Sequence, residues 1–167
     1  LHFTIGLSWI GLGRIDEGFV ERVLQHEFFG QKCPKSLDRN AFGFANIGLP
    51  EFSVADGAAT LSGLTAASVA RVVPHLPQPP RAWVVCGGGA HNPTLMRMLA
   101  ERLAPATVET ADAVGWSSDA MEAQAFAYLA VRTLRGLPIT FPTTTGTPAA
   151  LAGGLVAQPT VRQRKAS

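Results

Sequence analysis

The sequence has 167 residues, of which 47% are hydrophobic and 16% charged, with a formal net charge of +2. That length fits one domain or one lobe of a larger protein, and the composition excludes a disordered chain because it can bury a core. So small a charge argues against nucleic acid as a partner. No apolar run nears the roughly eighteen residues that a membrane span needs, so the sequence reads as soluble and cytoplasmic, with no membrane partner.

The chain begins Leu1-His2-Phe3 without an initiator methionine, a hint that an upstream part is missing. Residues 1–14 are apolar and glycine-dotted, with no clear period. Asp16 then has the chemistry of an N-cap for a helix to about Phe28. Phe19, Val20, Val23, Leu24 and Phe28 form a stripe at helical spacing, and Gly30 is a natural stop. Residues 31–52 read as a long polar connection holding Pro34, Lys35, Ser36, Asp38, Arg39 and Asn40. Ser53 and Asp56 flank a second helix through about Val73, with Leu61, Leu64, Ser68 and Val72 on one face. Pro74 to Pro80 break it.

Ala82–Cys86 reads as a buried apolar strand that meets Gly87-Gly88-Gly89. Asn92 caps a helix from Pro93 to about Leu103, and Thr107–Thr110 follows as a short strand. Strand, helix and strand in so short a stretch make a βαβ unit, with the glycines at the carboxyl end of the first strand. Next comes a long helix with Asp119 as cap and Glu122 three residues on, a capping-box arrangement. Ala120, Ala123, Ala127, Ala130, Val131 and Leu134 give it a small-residue face suited to close packing, and Gly136 with Pro138 ends it. Thr143–Pro148 reads as a polar loop and Leu151–Ala157 as a glycine-containing strand. Alternating strands and helices predict an α/β fold.

Cys33 and Cys86 are far apart and lack metal-ligand spacing, and Cys86 is expected to be buried. No Ser/His/Asp set, metal cluster or Walker A sequence is present. The glycines are either a tight turn under a packed helix or backbone left bare for a polar or anionic ligand. Their spacing is not that of a dinucleotide fingerprint, because Asn92 stands at the third glycine's position. His91 is either a ligand contact or a solvated loop residue, and Asn92 either a cap or a contact. Glu122 either favours the helix dipole or accepts hydrogen bonds from substrate hydroxyls. Lys35, Ser36, Asp38 and Arg39 are either an anion- or sugar-binding loop or simply solvated. The basic cluster Arg162, Arg164 and Lys165 lies in the terminal tail.

The stretches Pro-Lys-Ser-Leu-Asp-Arg-Asn (34–40), Asp-Gly-Ala-Ala-Thr-Leu (56–61), Val-Cys-Gly-Gly-Gly-Ala-His-Asn-Pro-Thr-Leu-Met (85–96) and Asp-Ala-Met-Glu-Ala-Gln-Ala-Phe-Ala (119–127) together resemble one family. They are similar to the carboxy-terminal half of anhydro-N-acetylmuramic acid kinase, in the sugar-kinase, Hsp70 and actin superfamily. The resemblance covers about 13–159. It leaves 1–12 as an unmatched N-terminal segment and 160–167 as a basic tail.

The resemblance implies the carboxy-terminal lobe of an actin-like ATPase (ribonuclease H-like) fold, a mixed sheet flanked by helices. It also implies a kinase of cell-wall (peptidoglycan) recycling. Such an enzyme converts 1,6-anhydro-N-acetylmuramic acid, ATP and water to N-acetylmuramic acid 6-phosphate, with Mg2+ as companion of ATP. By the same resemblance Gly87, Gly88, Gly89 and Asn92 contact the nucleotide on its adenosine side. Glu122 contacts the sugar, and Lys35, Ser36 and Arg39 are further candidates near the cleft. The family's phosphate loop, of the form Asp-Gly-Thr-Ser-x-Asp-Gly, is absent from this sequence. So are its Gly-Pro-Gly-Asn segment and the catalytic aspartate that follows. No catalytic residue is therefore expected in this chain, which is expected to be inactive without an amino-terminal lobe as partner. A homodimer is a further assembly left open. The alternatives are a non-catalytic nucleotide- or sugar-binding module, or an inactive truncated fragment.

Overall fold

A computed structural model describes residues 12–158. The expectations for residues 1–11 and for the basic tail lie outside the described residues. The chain divides into two compact units, Leu1–Glu122 and Ala123–Ser167.

In the first unit, α1 (Glu17–Leu24) starts where the Asp16 carboxylate accepts the Phe19 N–H at 2.9 Å. It stops four residues short of Phe28. His26 takes extended backbone, and its Nδ1 accepts the Phe28 N–H at 3.1 Å, which opens a separate turn, α2 (Glu27–Gly30). Phe28 therefore leaves the α1 stripe and joins Phe29 and Phe42 in an aromatic cluster, with ring centroids 5.6–6.4 Å apart. The connection expected over 31–52 holds a 3-10 turn, Arg39–Phe42, and a short helix, α3 (Phe44–Ile47).

The fourth helix, α4 (Val54–Ala70), is capped by Ser53, whose Oγ accepts the Asp56 N–H and donates to the Asp56 carboxylate. Beyond Ala70 the chain tightens into a 3-10 turn, Val73–His75, short of the proline run. The stripe read from the sequence is not the most buried part of α4. Leu61, Leu64, Ser68 and Val72 are only half-buried, and Ala59, Thr60, Gly63, Ala66 and Ala67 are buried instead. Small residues let neighbours approach closely. A Cβ on Gly63 would lie 3.0 Å from Ile15 Cγ2, and one on Gly13 would collide with the Ala55 carbonyl. Larger side chains on that row would push these contacts apart. Thr60 is fully buried because its hydroxyl accepts the Asp16 N–H at 3.0 Å.

The βαβ unit forms as expected. Strands β1 (Ala82–Val85) and β2 (Thr107–Thr110) run parallel, with Ala82 opposite Thr107 and Val85 opposite Thr110. Between them lies α5 (Pro93–Leu103). Met98, Leu99 and Leu103 of α5 join Ala66 of α4 in the main core, against Trp83, Val85 and Val108. The expectation of a fully buried strand is corrected: only one face of the two-stranded sheet rests on this core. Val84 points the other way and is 43% exposed, and Cys86, expected to be buried, is exposed. A mixed sheet is not found among the described residues; the one antiparallel pairing there is an isolated bridge, Thr140 to Leu151.

The second unit consists mainly of α6 (Met121–Leu134), which begins at the end of the first unit, and the chain after it. The helix ends as expected: Gly136 takes φ +63° and the Leu137 N–H returns to the Arg132 carbonyl at 2.9 Å. Among the described residues none of α6 is buried: Ala123, Ala127 and Ala130 of its alanine-rich face are exposed, as are Phe126, Tyr128 and Leu134. Where a polar loop is expected, Pro142 opens a short helical turn, α7 (Pro142–Thr145), whose last residues donate to the Phe141 carbonyl. The strand expected over 151–157 shrinks to the bridge at Leu151. Gly154 takes φ +92°, which a strand cannot continue through. Among the described residues no helix is long and apolar enough to cross a membrane.

Candidate functional site

The three consecutive glycines stand in three different settings. Gly87 leaves β1 with φ 76° and ψ −176°, a conformation essentially closed to residues with a Cβ. Gly88 has an ordinary φ and opens the 3-10 turn Gly88–His91; a Cβ there would meet nothing within 4 Å. A Cβ on Gly89 would sit 3.5 Å from Leu95, an ordinary contact. Gly87 thus answers to the backbone, whereas nothing among the described residues requires glycine at position 88. Asn92 performs the capping role: its Oδ1 accepts the N–H groups of Thr94 and Leu95, each at 3.1 Å.

A second segment of the same unit frames this loop. After β2, a 3-10 turn (Asp112–Val114) and Gly115 at φ +83° reverse the chain, so that Ser117–Asp119 returns beside the glycines. Ser118 is buried; its N–H and hydroxyl both donate to the Asp112 carboxylate, and its carbonyl accepts the Gly87 N–H at 2.9 Å. At the far end of the loop, His91 Nε2 lies 2.8 Å from Asp119 Oδ1. That contact corrects the expected capping box, because the Asp119 carboxylate meets His91 and Ser117 Oγ accepts the Ala120 N–H instead. Glu122 stands exposed as the second residue of α6.

Hydrogen bonds set the electrostatics of these groups. The bond to Asp119, and then its negative charge, hold the His91 imidazole above its ordinary pKa. The Ser118 hydroxyl and N–H hold Asp112 below the usual carboxylate range. Asp56 is lowered in the same way by the Arg14 N–H and the Ser53 hydroxyl. A carboxylate with a lowered folded pKa contributes stability above its unfolded pKa and loses it as pH falls through the folded value. The melting temperature is therefore expected to drop between about pH 5 and pH 2, and Asp56→Asn should flatten that acid limb. Melts of both proteins across this range check it; parallel profiles would refute the assignment.

The other expected contacts lie elsewhere in the first unit. Lys35 Nζ donates to the carbonyls of Phe28 and Phe29 at 2.7 and 3.2 Å and sits 4.7 Å over the Phe28 ring. It lines a cavity of about 600 Å³ walled by Phe28, Phe29, Phe42 and Leu64, with no glycine-loop residue in its wall. Ser36 is exposed in the connection, and the Arg39 side chain lies outside the described residues. Among the described residues no group of three His, Cys, Asp or Glu side chains could hold a metal ion. Sequence reasoning missed Asp112 and Ser118. Their pairing depends on the reversal at Gly115, and no spacing rule joins an aspartate to a serine six residues on.

A family model described as anhydro-N-acetylmuramic acid kinase matches residues 2–158, so the match includes most of the segment that carried no motif. The anhydro-N-acetylmuramic acid kinase of Rhodopseudomonas palustris (strain HaA2) is 58% identical over 147 residues, covering 88% of this chain and 40% of the relative. That of Bradyrhizobium diazoefficiens is 53% identical over 152 residues, covering 91% and 41%. That of Rhodospirillum rubrum is 53% identical over 142 residues, covering 85% and 37%. The chain spans about 40% of the length of the curated relatives it matches.

Proposed function

The chain belongs to the anhydro-N-acetylmuramic acid kinase family, and on that premise we propose that it is the carboxy-terminal, nucleotide- and sugar-binding part of an ATP-dependent sugar kinase. Its fold in this reading is one lobe of an actin-like, ribonuclease H-like architecture. The whole enzyme would act in the cytoplasm on 1,6-anhydro-N-acetylmuramic acid. With water and ATP it would yield N-acetylmuramic acid 6-phosphate and ADP.

One observation supports the nucleotide assignment above the others: Gly88 is bare where the fold asks for no glycine. Backbone without a side chain admits close approach of a flat or sugar-like group, and a strand end leading into a helix N-terminus favours polar ligands. Gly87 gives the loop its shape, while Gly89 and Asn92 join it to α5. Bound here, ATP would supply the transferable phosphoryl group. This chain's residues would hold its adenosine side and exclude water from that wall. The Glu122 carboxylate, exposed three residues beyond Asp119, suits hydrogen bonds from sugar hydroxyls. Lys35, Ser36 and Arg39 are weaker sugar candidates, since the Lys35 ammonium already serves two backbone carbonyls.

No base and no phosphate clamp occur in this sequence, so the chain alone should not turn over sugar. In a coupled ADP assay with ATP, Mg2+ and the anhydro-sugar, the 167-residue chain is expected to stay at background. Adding the amino-terminal remainder of a full-length relative should bring activity above it. Turnover by the chain alone would overturn the division of labour. Nucleotide binding with no activity after that addition would instead favour a non-catalytic module.

A further inference from the structure

The glycine loop is held at both ends by one distant segment. At its start the Gly87 N–H donates to the Ser118 carbonyl at 2.9 Å; at its close His91 Nε2 meets Asp119 Oδ1 at 2.8 Å. Ser118 is in turn anchored by Asp112 through its N–H and its hydroxyl. The first contact is made by backbone and survives most substitutions. The second is made by two side chains 28 residues apart in sequence. It draws Asp119 away from the capping position that its place before α6 would otherwise give it. Loop capping explains Asn92 and backbone shape explains Gly87, but neither explains this pair.

We propose that His91 is a positioning residue: through Asp119 it holds the Gly87–Asn92 loop in the shape a nucleotide meets and ties it to the segment that leads to Glu122. The functional half of this inference rests on the nucleotide reading above. The loop-holding half rests on the geometry alone. Both side chains are largely exposed, at 56% and 78%, and exposed ion pairs add little to global stability. The effect belongs to local opening of the loop, which amides report separately from global unfolding.

The charged groups facing His91 are the carboxylates of Asp119 and Asp112, so the imidazolium is the form they favour. With a folded pKa raised above its unfolded value, His91 makes its full contribution below about pH 6.5 and loses it as pH rises through the raised value.

The test is amide hydrogen exchange on the 167-residue chain, in the wild type and in His91→Ala, His91→Gln and Asp119→Asn, each also titrated with Mg-ATP. In His91→Ala and Asp119→Asn the amides of Gly88–Asn92 and Ser118–Ala120 are expected to exchange about three- to fivefold faster. Those of α4 and α5 should be unchanged. His91→Gln, whose amide can still donate to Asp119, should restore protection and remove its dependence on pH. Mg-ATP affinity should fall by the same factor as loop protection in the two disrupted variants.

Wild-type exchange rates in His91→Ala would overturn the proposal. Faster loop exchange with unaltered affinity, in a chain that binds Mg-ATP, would overturn the positioning role. A wild-type chain whose loop responds as described but which binds no Mg-ATP, alone or with the amino-terminal remainder of a full-length relative added, would refute the nucleotide reading and uphold the hold of His91 on the loop.

Discussion

Gly87→Ala is expected to remove nucleotide binding, whereas Gly88→Ala is expected to weaken it without disturbing the fold. The two positions are neighbours, yet their physics differ. At Gly87 the backbone takes φ 76° and ψ −176°, and an added Cβ would meet no other atom, so the whole penalty is backbone strain. Such a conformation costs a non-glycine residue about 1–3 kcal/mol. The chain can escape by rotating out of it, which would move the start of the 3-10 turn and break the Gly87 N–H bond to Ser118. At Gly88 the backbone is ordinary and the space open, so alanine should fold normally and interfere only with a ligand pressed against the loop. Melting curves together with Mg-ATP titration of both variants separate the cases. Equal affinity in Gly88→Ala and wild type would remove the nucleotide from this position. A Gly87→Ala protein that melts like wild type would show that the loop has another shape.

The largest loss of stability is expected from Phe19→Ala, about 3–5 kcal/mol, the range for deleting a buried phenyl ring. Phe19 is 2% exposed on α1 and meets Phe52 edge to face at 5.8 Å, with the Arg22 guanidinium 5.0 Å from its ring centre. Its neighbours are parts of separate segments, so they cannot readily collapse into the space left. A domain of ordinary stability has only about 5–15 kcal/mol in total, so a large fraction would be lost. Phe28→Ala serves as the control, because that ring is half-buried in an open cluster and should matter less. Urea midpoints with an unchanged slope measure both. A loss below about 1 kcal/mol for Phe19→Ala would refute its place in the core.

Much of the first unit was legible in the sequence because it is written in short-range signals. Asp16, Ser53 and Asn92 each cap the helix they precede, since a short polar side chain reaches an amide two or three residues on. The order strand, glycines, helix, strand gave the parallel pair, because so short a crossover leaves few other arrangements. The break at His26 was harder. It depends on an imidazole accepting the Phe28 N–H, while the apolar spacing runs on across it. The buried row of α4 was not legible because periodicity marks large apolar residues, whereas the row that is buried is small, with Gly63 close against Ile15.

The candidate site divides along the same line. Sequence alone determined the glycine loop, its capping asparagine and the kinase family, because each is carried by neighbouring residues or by ordered motifs. It read Asp119 and Glu122 as a capping box, with Glu122 also a sugar contact by resemblance, and gave no sign of Asp112 or Ser118. Only the tertiary structure decided that Asp119 meets His91, that Ser118 holds Gly87, and which of the three glycines answers to strain and which to open space. The physical reason is range. Caps and turns close rings of a few residues, whatever surrounds them. A pair 28 residues apart forms only after β1, α5 and β2 have packed and the turn at Gly115 has brought the chain back.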